Sequence, residues 1–375
     1  ASAETIAALV DEFESSGRGR IHLSVVRVPS GEEIVSRRQD SPAAPASNQK
    51  LLTAAFALAR LKSDYRFRTR VYRAGRDLVV AGGWDPTLGD PVLASFSGNT
   101  IYTTLDEWSA AVAKSIGKKI AGDLVICRHF EKGAFRPPAW PRRHHGKWYG
   151  APVAKLNFHD NCYDVVFVEN GPEVRPRVTP ASRYIGVSNQ TRKGPRHVWS
   201  LSEGKNGALL TISGRYRTAS PDPISVPAKD PPLLLARVFA DRLARVGVEI
   251  AGGIRMVDEN MVRLEHAGLI AETATPIETV LKRACRRSLN LAGECLFLCA
   301  GDGTWSGSAR MMERLLVREY GLSADDLHVS DGSGLSGENR VTAAAVTTLL
   351  ASLRTRTAGR ARPAPRSATA WIQTG

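Results

Sequence analysis

The sequence lacks any apolar run long enough to cross a membrane as a helix, which takes about 20 residues in succession. Its first residues, ASAETIAALV, contain neither a methionine nor the basic-then-apolar pattern of a secretory signal. We therefore expect no integral membrane span. We interpret the chain as a mature form, an expression form or a fragment of a longer protein.

Patterns that bind metals or cofactors are missing too. The eight histidines are scattered and include no H-E-x-x-H. The odd number and wide spacing of the cysteines give no disulfide framework, so the pairing of the five stays open: Cys127, Cys162, Cys285, Cys295 and Cys299. The last two lie four residues apart on a predicted helix, as metal ligands can, but no second His or Cys pair accompanies them, and buried structural thiols explain them better. The sequence predicts no metal and no cofactor.

Acidic residues are few beside basic ones, 37 against 51, which gives a net charge of +14 at pH 7. Such an excess commonly indicates nucleic-acid binding. Here the basic residues are spread along the chain, and zinc-finger spacing and RNA-binding aromatic patterns are absent. We expect no nucleic-acid partner. A basic surface that faces an anionic polymer, or a compositional bias without function, fits better.

What the sequence does contain is an ordinary globular composition over 375 residues, enough for two or three domains. Apolar periodicity predicts helices at 3–16, 50–61, 106–116 and 232–248, two helices in PIETVLKRACRRSLNLAGECLFLCAG, and one each in ARMMERLLVREYG and VTAAAVTTLLASL. The helix at 50–61 is apolar on every side and should be buried all round. Alternation predicts a hairpin that starts at IHLSVVRV, and short strands in FRTRVYRA, DLVVAGG, GDLVICR, YDVVFVE and ALLTISGRY.

The order of these elements predicts the domain organisation. Helix-rich segments stand near both ends, and short strands dominate from about 67 to 265. We therefore predict an α/β fold of the mixed α+β kind, with one discontinuous domain. It comprises residues 1–66 plus 266–375, and it is interrupted by strand-rich domains with an outer part at 67–90 and 155–265 and an inner part at about 91–154.

The stretch PASNQKLLTAAF (45–56) places Ser47 three residues before Lys50, where a polar loop becomes an apolar helix. A helix's first turn favours acidic residues, so a lysine there is either merely solvated or has a role. Residues three apart share a helix face, and an acyl-transfer serine needs a base within reach. Lysine acts as a base only when burial or a nearby cation lowers its pKa. We predict Ser47 as the nucleophile and Lys50 as its base, although S-x-x-K alone is a common pattern.

A second candidate is Ser288-Leu289-Asn290, in RRSLNLAGECL. A serine and an asparagine two residues apart on a short loop can point into one cleft. The serine hydroxyl could pass a proton to a leaving amine, and the asparagine amide could hold a substrate carbonyl and the lysine. The alternative is a helix N-cap at Ser288 or Asn290.

Together these motifs resemble the S-x-x-K and S-x-N boxes of penicilloyl serine transferases. The chain resembles the D-alanyl-D-alanine carboxypeptidase/endopeptidases of the low-molecular-mass class C penicillin-binding proteins in PASNQKLLTAAFAL, YRFRTRV, VAGGWDPTL, WYGAPVAKLNFHDNCYDV, SLNLAGECL and SDGSGLSGENRVT. The resemblance implies a penicillin-binding-protein/β-lactamase-like transpeptidase domain, with peptidoglycan peptides and β-lactams as partners. It also implies a place in the periplasm or on the extracytoplasmic cell surface, and it leaves the oligomeric state open.

Two departures from the family pattern stand out. Leu289 replaces the aspartate that the family usually has between the serine and the asparagine. The third box, K-T-G, corresponds to Gln373, Thr374 and Gly375, the last three residues, as a degenerate substrate-binding box. We expect this end to be truncated or shifted in frame.

Two other interpretations follow. One is a catalytically impaired remnant or a peptidoglycan-binding protein, which the degenerate third box would suit. The other is a serine β-lactamase, against which the long stretch between Ser47 and Ser288 argues.

Overall fold

The computed structural model describes residues 2–28, 30–130, 134–171 and 173–358. Its α-helices are α1 Ala3–Ser15, α2 Gln49–Leu61, α3 Pro91–Ser97, α4 Thr103–Ile116, α5 Pro231–Arg245, α6 Ile277–Arg286, α7 Asn290–Ala300, α8 Trp305–Tyr320 and α9 Ala343–Ala358. Its strands are β1 Leu23–Val26, β2 Glu33–Arg37, β3 Arg66–Ala74, β4 Asp77–Ala81, β5 Lys119–Ile120, β6 Leu124–Arg128, β7 Cys162–Asn170, β8 Glu173–Thr179, β9 Gly186–Lys193, β10 Val198–Glu203, β11 Leu209–Tyr216, β12 Ser220–Pro227, β13 Glu249–Ile250, β14 Ile254–Asp258, β15 Gly268–Pro276, β16 Leu327–His328 and β17 Arg340–Val341.

The predicted helices and strands are confirmed, with ends that differ by a few residues. The helix predicted at 106–116 begins at Thr103, and the one predicted at 232–248 ends at Arg245. Helix α2 is buried almost all round, as predicted, and Arg60 is its one exposed residue. In the part of the chain that the structure describes, no helix combines the length and apolarity needed to span a membrane.

The chain divides into two compact units. The described residues of the first lie within 1–45, 312–329 and 339–375, and those of the second lie within 46–311 and 330–338. In the first unit β1 and β2 form the predicted antiparallel hairpin, on which α9 packs, and the Ser24 and Thr347 hydroxyls lie 2.9 Å apart. The domain bounds proposed from the sequence stay a prediction.

The second unit contains a five-stranded sheet with the order β14-β6-β4-β3-β15. Successive side chains along each strand point to opposite faces of the sheet. In β4, Leu78 and Val80 face a large core that includes Trp108 of α4 and Phe239 of α5, whose rings lie 5.7 Å apart. Val79, between them, joins a smaller apolar cluster on the other face. The sheet thereby holds α4 and α5 against one side.

Two further sheets of three strands have the orders β12-β7-β8 and β10-β11-β9. The first is antiparallel throughout, while β9 and β11 run parallel. Phe167 of β7 packs its ring against His197 and Trp199, with centroids 4.9 and 5.4 Å away. This aromatic contact joins the two sheets.

Helices α2, α6 and α7 form the part of the second unit that carries the candidate site. Phe56 of α2 and Phe297 of α7 are fully buried, with ring centroids 6.4 Å apart. Every α7 residue except Cys299 is buried. The N-termini of α2 and α7 are therefore held in place by the buried apolar packing between the two helices.

Candidate active site

Ser47 lies on a single 3₁₀ turn, Ala46–Asn48, which leads directly into α2. Lys50 is the second residue of α2, and residues three apart along a helix lie on the same face. The Lys50 Nζ atom accordingly lies 3.2 Å from the Ser47 Oγ atom. The predicted pairing of this serine with this lysine is present.

The second predicted pair, Ser288 and Asn290, lies at the break between α6 and α7 and contacts Ser47 and Lys50. Ser288 has a positive φ of 53°, and its hydroxyl donates to Ser47 Oγ over 2.8 Å. The Lys50 Nζ atom lies 3.4 Å from Ser288 Oγ and donates to Asn290 Oδ1 over 2.7 Å. Leu289 is the N-cap residue of α7, and no side chain caps that end. The helix-cap interpretation of Ser288 and Asn290 is therefore wrong.

Two backbone carbonyls that the sequence did not indicate complete the site. The Ser333 carbonyl accepts from Lys50 Nζ over 2.8 Å, and the Tyr149 carbonyl accepts from Asn290 Nδ2 over 2.8 Å. Both lie in stretches that carried the family resemblance, SDGSGLSGENRVT and WYGAPVAKLNFHDN. That resemblance was the available signal, but it assigned these residues no role.

The segment that supplies the Ser333 carbonyl, residues 330–338, is called the glycine loop below. Gly334 has a φ of +84°, and a Cβ at this position would overlap the Ala46 carbonyl. A Cβ on Gly332 would overlap the Phe297 side chain. Thr53 of α2 donates its hydroxyl to the Gly332 carbonyl over 2.7 Å. Only glycine lets the loop approach α2 and α7 this closely.

Burial controls the chemistry of Lys50, whose side chain is 2% exposed. Loss of solvent lowers the pKa of its ammonium from 10.5 to about 8, against the opposing charges of Glu294, Asp331 and Cys285. At pH 7 this shift leaves roughly a tenth of the molecules with a free amine, roughly 300 times the fraction at the ordinary pKa. A free amine near neutral pH can act as a general base.

Hydrogen-bond geometry fits this free amine. A neutral lysine has two N–H donors and one lone pair. Asn290 Oδ1 and the Ser333 carbonyl, the two nearest partners of Nζ, are acceptors only, so they take both donors. The lone pair is then left for the hydroxyl proton of Ser47, whose oxygen receives a hydrogen bond from Ser288. The arrangement can remove a proton from Ser47.

A groove of about 950 Å³ opens beside this cluster, lined by residues 146–149, 197–201 and 223–226. Its lining mixes indole rings with hydroxyl groups, and Trp148 is half-exposed. Tyr149 lies in the lining, and its carbonyl is the acceptor for Asn290. One lining residue, Tyr149, therefore contacts Asn290 of the candidate site.

The remaining predicted residues lie elsewhere. Gln373, Thr374 and Gly375 fall outside the described residues. Cys295 is fully buried and Cys299 is half-buried, with its Sγ atom 3.1 Å from the Tyr65 hydroxyl. Across the described ranges, no group of three or more His, Cys, Asp or Glu side chains is placed to hold a metal ion.

Comparisons with known proteins identify a family and several relatives. The profile of the D-Ala-D-Ala carboxypeptidase 3 (S13) family matches residues 3–361. A D-alanyl-D-alanine carboxypeptidase of Actinomadura sp. (strain R39) is 27% identical over 376 aligned residues. The match covers 93% of this chain, and the chain spans 65% of that relative's length.

Two crystal structures of penicillin binding protein 4 (dacB) from Haemophilus influenzae have a similar fold, each at 20% identity. One has a TM-score of 0.71 and covers 90% of this chain and 76% of that chain. The other, complexed with a β-lactam, has a TM-score of 0.66 and covers 90% and 74%. The predicted mixed α/β fold of the penicillin-binding proteins is confirmed.

Proposed function

This chain belongs to the D-Ala-D-Ala carboxypeptidase 3 (S13) family, and on that premise we propose that it is a serine-type D-Ala-D-Ala carboxypeptidase that forms an acyl-enzyme and binds penicillin. Cleavage of peptide cross-links, a DD-endopeptidase activity, belongs to the same proposal. The observation that carries it is the position of Lys50 Nζ, within 3.4 Å of Ser47 Oγ, Ser288 Oγ and Asn290 Oδ1.

In the proposed acylation step, Ser47 Oγ attacks the carbonyl carbon of the penultimate D-Ala residue, and its proton passes to the Lys50 amine. The tetrahedral intermediate then breaks its C–N bond. The terminal D-Ala leaves as an amine that takes a proton from Lys50 through the Ser288 hydroxyl, since Ser288 Oγ lies 3.4 Å from Lys50 Nζ and 2.8 Å from Ser47 Oγ, where the bond breaks. Lys50 returns to the free amine, ready to activate the water that hydrolyses the acyl-enzyme.

Asn290 has a holding role in this proposal. Its amide nitrogen donates to the Tyr149 carbonyl, which fixes the amide plane, so its oxygen faces Lys50. The oxyanion would be held by backbone N–H groups, that of Ser47 among them, where the turn at Ala46–Asn48 leads into α2. The N-terminal end of this helix favours the developing negative charge.

The substrate would be a peptidoglycan stem peptide that ends in D-Ala-D-Ala. β-Lactams would acylate the same serine, in keeping with the β-lactam complex of the Haemophilus influenzae protein. The groove beside Tyr149 could hold the part of the peptide that precedes the cleaved bond. Such a substrate places the enzyme in the periplasm or on the extracytoplasmic cell surface.

Release of D-Ala from a soluble peptide ending in D-Ala-D-Ala tests the proposal. We expect the parent to release D-Ala and Ser47→Ala to lose the reaction. Ser63→Ala, which removes an exposed serine just beyond α2, is the matched control and should keep the parental rate. A parent that binds the peptide without cleaving it would instead support a peptidoglycan-binding protein, and equal rates for all three chains would exclude Ser47 as the nucleophile.

A further inference from the structure

Glu294 is a buried carboxylate that the proposed reaction does not use. It lies on α7, one turn after Asn290, and its side chain is fully buried. Buried carboxylates cost free energy unless they are hydrogen-bonded, so a fully buried one in an otherwise apolar helix needs an explanation.

The hydrogen bonds of Glu294 lead to the glycine loop. Its Oε1 atom accepts from the backbone N–H of Ser333 over 2.9 Å and of Gly332 over 3.1 Å. Its Oε2 atom accepts from the Trp305 indole N–H over 3.2 Å. The carboxylate thus binds the N–H groups of Gly332 and Ser333, the two residues that lead up to the Ser333 carbonyl.

A second buried carboxylate completes the fold of the loop. Asp331 accepts from the backbone N–H groups of Gly334 and Ser336, each over 2.7 Å, and from the Trp140 indole over 2.8 Å. These bonds hold the loop's own backbone and join it to Trp140, whereas Glu294 bonds the loop to α7. Glu294 therefore couples the position of the Ser333 carbonyl to the helix that carries Asn290.

We propose that Glu294 is a positioning residue for the reaction, because it fixes the Ser333 carbonyl that takes one N–H of Lys50 and so directs the Lys50 lone pair to Ser47. This inference rests on the proposed function. Without Glu294 the loop could shift, and the Lys50 amine would lose one of the two acceptors that orient it.

The charge of Glu294 should also affect how the reaction rate depends on pH. The charged or titratable groups that face Lys50 are Glu294 of α7, Asp331 of the glycine loop and Cys285 of α6. A negative charge on any of them favours the protonated form of Lys50. Burial, followed by the charge of Asp331, raises the pKa of Glu294, whereas the N–H groups of Ser333, Gly332 and Trp305, from which it accepts, stabilise its charged form. Removing the Glu294 charge should lower the pKa of Lys50, so the acid side of a pH–rate profile should move to lower pH.

The test measures the second-order rate of acylation by a fluorescent penicillin between pH 5.5 and 9. We expect Glu294→Gln to lower the plateau rate by about 100-fold, the scale of a misplaced catalytic group, and to move the acid midpoint to lower pH. Asp241→Asn removes another buried carboxylate, on α5, where it pairs with Arg183 and Arg245. This control should leave the rate and the midpoint unchanged even if it lowers the melting temperature.

An E294Q chain with the parental plateau and midpoint would overturn the inference, and so would a lower plateau with an unmoved midpoint, which marks a structural role alone. If E294Q does not fold, Trp305→Phe takes its place, since it removes one hydrogen bond to the Glu294 carboxylate. This variant should move the acid midpoint of the rate profile in the same direction, by a smaller amount. An unmoved midpoint in that variant overturns the inference. A parent that no penicillin acylates would overturn the proposed function together with this inference.

Discussion

Lys50 is the residue on which the proposed chemistry depends, and its surroundings oppose its charge. The side chain is buried between α2, α7 and the glycine loop, where solvent cannot stabilise an ammonium ion. Three neighbouring groups that can carry negative charge limit the fall in its pKa. The balance puts the pKa at about 8, within reach of physiological pH.

This balance predicts the pH dependence of acylation. Since the base must be the free amine, the rate should rise about tenfold per pH unit below the Lys50 pKa and level off above about 8. Lys50→Arg should lose at least about 10²-fold to 10⁴-fold in rate at every pH, because a guanidinium stays protonated. Stopped-flow or quenched labelling with a fluorescent penicillin from pH 6 to 9.5 measures both. A flat profile, or an arginine variant within tenfold of the parent, would show that Lys50 is not the base.

At the scale of elements, the glycine loop places the Ser333 carbonyl, and its glycines are not equivalent. Gly334 combines a positive φ with a backbone neighbour that a Cβ would overlap, whereas Gly337 has an ordinary φ and no atom within 4 Å of its Cβ position. The two positions, three residues apart in one loop, form a matched pair.

We predict that Gly334→Ala displaces the loop, because left-handed backbone and steric overlap cost about 1–3 kcal/mol or more for alanine. Acylation by penicillin should fall by about 100-fold as the Lys50 amine loses its orientation. Gly337→Ala should keep the parental rate and melting temperature. Labelling rates and thermal unfolding of the three chains check this; equal losses in both variants would show that the positive φ and the Ala46 contact of Gly334 are not what places the loop.

The helices that carry the site, and one of its residue pairs, could be predicted from the sequence for physical reasons. Helices α2 and α7 have strong apolar patterns, and the pairing of Ser47 with Lys50 depends only on local turn geometry. The carbonyls of Tyr149 and Ser333 could not be predicted, because every residue carries a carbonyl and only the tertiary fold decides which one faces the site. The parallel pairing of β9 with β11 was also not predicted, since alternation fixes the face of a strand but not its partner.

At the scale of the whole molecule, a buried ion cluster joins parts of the chain that are distant in sequence. Arg283 of α6 pairs with Asp90, the N-cap of α3, and lies 3.4 Å from Asp160 in the turn before β7. Burial and the nearby Asp90 charge raise the pKa of Asp160 to about 8, while Arg283 lowers it. The Arg283 carbonyl also accepts from the Leu289 N–H over 3.2 Å, which connects the cluster to the Ser288 turn.

Removing this arginine should destabilise the second unit. Arg283→Met leaves the buried Asp90 without its cation and removes the charge that faces Asp160, a loss of about 3–5 kcal/mol for a buried pair. Lys282→Met, its neighbour in sequence, breaks only an exposed pair with Glu278 and should leave the free energy of unfolding nearly unchanged. Urea unfolding of both variants measures the difference. Equal midpoints would show that the cluster contributes no net stability.

The central claim is that Ser47, activated by Lys50, forms the acyl-enzyme, and its most direct test is the site of penicillin attachment. After incubation with benzylpenicillin, trypsin should release residues 39–50, which contain Ser41 and Ser47. Fragmentation by tandem mass spectrometry then assigns the adduct to one of the two. The account predicts a penicilloyl group on Ser47 alone, absent from Ser47→Ala; an adduct on another serine, or none on a folded parent chain, would contradict it.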